Sequence, residues 1–103
     1  MNVLDAITND QLIAETLAWV NEERQRYGRP ALDEMPKGLV DHSRECPVAR
    51  ALEDEGNSVI SDPLGVAYYL KDRFVRVDYP DAVVFFVRRF DRGEIPEMIL
   101  AGT

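Results

Sequence analysis

Cys46 and His42 are the residues of this chain whose types and spacing come nearest to a reactive pair. Cys46 stands immediately before Pro47, and proline suits the first position of a helix, so the thiol falls at an N-cap. A helix N-terminus lowers a thiol pKa, which would favour a reactive thiolate or a metal or haem ligand. The chain has one cysteine and one histidine, and those two cannot make a structural zinc site, which needs four ligands. His42 would neighbour Cys46 if residues 42–46 were helical, yet a residue before proline is biased toward extended backbone. Cys46 therefore reads as a packed or capping cysteine.

Other chemistry is sparse. Gly56, Gly65 and Gly93 read as turn or cap positions and not as a phosphate-cradling loop. The carboxylates are scattered, and the run Glu53-Asp54-Glu55 reads as a solvated helix end and not as a cation site. The expectation is a non-enzymatic protein with no catalytic residue, cofactor or metal. Nucleic-acid binding has a better claim, because Lys71, Arg73, Arg76, Arg88, Arg89 and Arg92 are interleaved with Tyr68, Tyr69, Phe74 and Phe85. Bases can stack on such aromatics in a positive groove. Against this, residues 63–103 carry 6 acids and 6 bases, while residues 1–62 carry 13 acids against 6 bases. The net charge of −7 belongs to the first part, which repels phosphate. Pairing of the arginines with Asp72, Asp78, Asp81 and Asp91 is expected instead. A DNA-mimicking surface needs denser negative charge than this.

A chain of 103 residues fills one core, so residues 1–103 are read as a single domain. A lone cysteine excludes an internal disulfide. The longest unbroken apolar run, Ala82 to Val87, is too short to span a bilayer, and the N-terminal residues lack a signal-peptide pattern. A cytoplasmic protein with no membrane association is expected.

The elements that must position these residues begin with a helix from Asn9 to Tyr27. Thr8 and Gln11 form a capping box, Ile7 and Leu12 a hydrophobic staple, and Gly28 the stop. Leu12, Ile13, Leu17, Val20 and Tyr27 make its apolar stripe, with Thr16 in line and Trp19 at the edge. Residues 29–45 read as an ordered connection anchored by Leu32, Met35 and Leu39. A short helix from Pro47 to Glu55 follows. Strands are expected over 58–61, 66–70 and 74–77, with a type I turn at Asp62-Pro63-Leu64-Gly65. Phe74, Arg76 and Asp78 share one face of the last strand and Val75 and Val77 the other, with apolar groups on both.

A second long helix is read between Tyr79 and Gly93, with Pro80 at its first position. Ala82, Val83, Phe86, Val87 and Phe90 form its buried stripe. Val84 and Phe85 point away from that stripe beside Arg88, Arg89 and Arg92. This aromatic-plus-arginine group is the expected protein interface, for a protein partner such as a host factor or for a homodimer. Ile95, Met98, Ile99 and Leu100 read as a short packed tail that could instead cover it. Together these elements give an α+β domain, with helices on one face of a small antiparallel three-stranded sheet. The aromatics Tyr68, Tyr69, Phe74, Tyr79, Phe85, Phe86 and Phe90, with Trp19, are expected to centre the core.

Several stretches resemble a group of small uncharacterised proteins of actinobacteria and their bacteriophages. They are Trp19-Val20-Asn21 through Arg24 and Gly28, Pro30 and Leu32, Met35-Pro36-Lys37-Gly38, Cys46-Pro47-Val48-Ala49-Arg50-Ala51-Leu52, and Phe86 through Glu97. They cover about half the chain, and their order and spacing carry the likeness. The resemblance implies a phage or mobile-element accessory protein and carries over no catalytic residue.

Overall fold

The structure, a computed structural model, describes residues 7–53, 59–70 and 73–100. It is an α+β fold: helices α1 (Asn9–Arg26) and α2 (Pro47–Leu52), strands β1 (Val59–Ser61), β2 (Gly65–Leu70) and β3 (Arg73–Asp78), then helix α3 (Asp81–Asp91) and a 3₁₀ turn at Pro96–Met98. The three strands form one antiparallel sheet in the order β1-β2-β3.

Local signals set the element ends. The Thr8 side chain accepts from the Gln11 N–H while the Gln11 side chain accepts from the Thr8 N–H, closing the expected capping box. Cys46 is the extended N-cap of α2, and its Sγ accepts from the Ala49 N–H at 3.4 Å. Asp62 Oδ1 accepts from both Leu64 N and Gly65 N, which shapes the β1–β2 turn. Several boundaries differ from expectation: α1 ends at Arg26, β2 starts at Gly65 and β3 runs Arg73–Asp78. Pro80 is the N-cap of α3 and Asp81 its first residue. Helix α2 ends at Leu52, because Glu53 is already extended; the rest of the acidic run and residue 58 lie outside the described residues.

Helix α1 lies against α3 and against α2, and α2 against β1. One core collects Leu12 and Val20 of α1, Val48 and Leu52 of α2, Val59, Val66 and Tyr68 of the sheet, and Val83, Phe86, Val87 and Phe90 of α3. The connection is anchored by Met35, Leu32 and Val40; Val40 takes the part expected of Leu39, whose N–H is engaged with the Glu45 carbonyl. Ile95 and Met98 are buried, so the tail is part of the core.

Two charged residues of α1 are buried as well. Glu23 is 2% exposed, faces Arg26 at 3.3 Å and accepts from the Tyr68 hydroxyl at 3.5 Å. Arg24 donates to the carbonyls of Pro30 and Ala51, each at 2.8 Å. Arg29 donates to those of Leu52 and Glu53 at 2.7 and 2.6 Å. Three carbonyls at the end of α2 that its own ladder leaves open are thus answered by guanidinium groups from α1 and the chain just after it.

Candidate functional site

The sheet has one face in the core and one in water. Register settles which side chains share the outer face: Ile60 lies opposite Ala67, Ala67 opposite Arg76, Tyr69 opposite Phe74 and Gly65 opposite Asp78. Val75 and Val77 turn to the core side, where they pack against the buried cluster. On the outer face Phe74 is 62% exposed, Tyr69 52% and Ile60 40%, with Leu64 of the adjoining turn at 57%. Tyr69 and Phe74 meet edge to face with ring centroids 5.4 Å apart, a favourable arrangement for a cross-strand pair. This corrects the expected core, since Tyr69 and Phe74 stand outside it while Tyr68 and Tyr79 are inside. Arg76 and Asp78, two and four residues beyond Phe74, mark that face as the wet one. The same alternation was the signal that could have placed Phe74.

Arg76 borders the aromatic pair on this face. Its Nη1 meets Asp62 Oδ2 at 2.7 Å and its Nε faces Asp78 Oδ1 at 3.7 Å. The Arg76 hydrogen bond is the main cause holding the Asp62 carboxyl below its ordinary pKa. The outer face is therefore apolar and aromatic with a nearly neutral charged rim, and its arginine is already answered by carboxylates.

The group expected on α3 is arranged differently. Val84 and Phe85 are half-buried and pack against the core. The physical reason is that α3 has a neighbour on its flank as well as beneath it. Arg89, one turn from Phe85 on the same side, donates to the Ile7 carbonyl at 2.7 Å and to Asn9 Oδ1 at 3.3 Å, so that flank lies against the start of α1. Arg88 and Arg92 are exposed, and neither is ion-paired among the described residues. Of the arginines expected to pair with aspartates, Arg76 meets Asp62 and Asp78; Asp72 lies outside the described residues. Val84, Phe85 and Arg89 thus belong largely to the packing, and Arg88 and Arg92 to a solvated edge.

Cys46 and His42 line a common cavity of about 180 Å³ with Asp41, Ser61 and Asp91. Burial pushes the Cys46 thiol up, which overrides the lowering from its hydrogen bonds with Ser61, Ala49 and Val48. Tyr79 is likewise held above its ordinary range by burial while its hydroxyl meets Ser61 Oγ at 2.5 Å. Asp91 is raised by burial, though its carboxylate accepts from the N–H of Asp41, a residue in left-handed conformation (φ 60°). A thiol kept protonated beside a raised carboxyl has little nucleophilic or ligating power. Among the described residues no group of three or more His, Cys, Asp and Glu side chains is placed to hold a metal ion, and no helix is long and apolar enough to cross a membrane.

Comparison with protein-family models, curated proteins and solved structures finds no match to this chain.

Proposed function

We propose that the protein is a small, acidic, non-enzymatic interaction domain, a phage or mobile-element accessory product that binds a host protein in the cytoplasm. The contact surface is the outer face of the sheet. The observation that supports it is the Tyr69–Phe74 pair, more than half exposed, with Ile60 on the same face. Large apolar side chains scattered singly need no explanation, but three grouped on one face of a sheet, two of them in ring contact, suit a docking surface. Rigid aromatics beside an arginine are also the residue types that dominate interface energetics.

A second reading, stacking of single-stranded nucleic acid on Tyr69 and Phe74, is favoured by the same ring pair. The net charge of −7 and the carboxylates on Arg76 weigh against it.

The test compares the full chain with a Tyr69→Ser, Phe74→Ser variant as bait in host lysate, and titrates both with a single-stranded oligonucleotide. A host protein held by the parent chain and released by the variant supports the first reading. Oligonucleotide binding that collapses with salt supports the second. Equal capture by both chains removes the sheet face as the contact surface.

A further inference from the structure

We propose that β3 pairs edge to edge with β3 of a second copy, antiparallel, joining the two three-stranded sheets into one continuous sheet. The inference goes beyond the reading of the outer face as the contact surface, because it uses the free edge of the sheet.

The first observation is an open row of backbone groups. Tyr79 N donates to Leu64 O at 2.9 Å, which fixes the parity of the β2–β3 ladder. Backbone groups alternate in direction along an antiparallel strand, so those of Val75 and Val77 point to β2 and those of Phe74, Arg76 and Asp78 point outward. Among the described residues no backbone hydrogen bond reaches that outward row from elsewhere in the chain. The opposite edge of the sheet is answered, because Ser61 N on β1 donates to Ser43 O at 2.7 Å. Secondly, Val75 and Val77 face the core side yet stay half-exposed, so the apolar layer is incompletely covered where the sheet ends.

The charges choose the occupant. Edge strands are commonly guarded by charges that deter pairing, and charges of one sign would repel a second copy. Here the outward row carries Arg76 and Asp78, of opposite sign and two residues apart. A two-fold axis through Val77 sets Arg76 opposite the partner's Asp78, and Asp78 opposite the partner's Arg76. That register puts Arg76 and Asp78 in hydrogen-bonded pairs and each charge facing its opposite. The Asp78 side chain is 85% exposed and its pairing within the chain, to Arg76 Nε, is long at 3.7 Å, so turning to a partner's guanidinium gives up little. The strand edge is self-complementary, and the isologous dimer follows.

Sedimentation equilibrium of the full chain tests this. The parent chain is expected to dimerise. Arg76→Asp and Asp78→Arg each set like charges opposite one another and are expected to weaken the dimer roughly tenfold or more. An equimolar mixture of the two variants restores both opposite-sign pairs and is expected to form a heterodimer, which also shows that both variants fold. A parent chain monomeric at every concentration, variants that dimerise as the parent does, or a mixture with no heterodimer would each overturn the proposal. A monomer that still captures a host protein through Tyr69 and Phe74 sinks the dimer alone. A dimer with equal capture by the serine variant sinks the partner reading alone.

Discussion

Arg24 Nη1 donates to the carbonyl oxygen of Ala51 across 2.8 Å in the buried interior, joining residues 27 apart in the chain. Its Nε meets Pro30 O as well, so one guanidinium fixes the end of α1, the start of the connection and the end of α2. Replacing it with methionine keeps much of the volume and strands the buried Ala51 carbonyl. Arg24→Met is expected to lose about 2–3 kcal/mol of stability in urea unfolding. Arg24→Lys restores charge but not the planar fork, and should recover part of the loss.

Thr16 is fully buried on the inner side of α1, and among the described residues its Oγ1 has no hydrogen-bond partner. The hydroxyl gives up water and receives nothing in return. Thr16→Val, of nearly the same shape, is expected to stabilise the fold by about 1 kcal/mol. The measurement is a thermal melt, where a rise of about 4–8 °C corresponds to that gain.

At Gly38 an added Cβ would lie 2.5 Å from Glu45 O and 2.6 Å from Pro47 N, both backbone atoms. Neither can step aside without moving Cys46, the cap of α2. Gly38→Ala is therefore expected to cost about 3 kcal/mol, the upper end for overpacking, and chemical denaturation reads it directly.

Two carboxyls near the cavity titrate with opposite sign. The folded-state pKa of Asp62 is lowered, chiefly by Arg76, so its contribution is present above the ordinary carboxylate value and lost as pH falls through the folded value. Burial raises Asp91, so its contribution is present below the ordinary value and lost as pH rises through the folded one. Unfolding free energies measured from pH 2 to 7 should therefore change in two ways. Arg76→Ala flattens the slope below about pH 4, by a small amount because that pair is solvated. Asp91→Asn flattens the slope above it.

Features carried by neighbours in the chain were legible beforehand. The Thr8–Gln11 box, the Cys46 cap and the Asp62 turn each depend on residues within four positions, so type and spacing suffice. Burial of Glu23 and Arg24 was not legible, because their partners Tyr68 and Ala51 lie 45 and 27 residues away. A helical projection gave the direction of Phe85 but not what stands there, and α1 occupies that flank. The reverse holds at Phe74. An aromatic in a strand suggests a core, and only the company of Arg76 and Asp78 on the same face tells that it is wet.

Gly38 also forms a parallel bridge with Ile99, its N–H donating to Met98 O and its carbonyl accepting from Leu100 N. Synthesis on the ribosome runs from the first residue onward, so the clasp on residue 38 emerges some sixty residues after its other half. Until residues 98–100 leave the exit tunnel, the stretch leading to Cys46 lacks its fastening, whatever α1 and the sheet have already achieved. The connection into α2 is therefore fastened only once residues 98–100 are free to fold, and a nascent chain halted before that point carries α1 and α2 without this clasp between them.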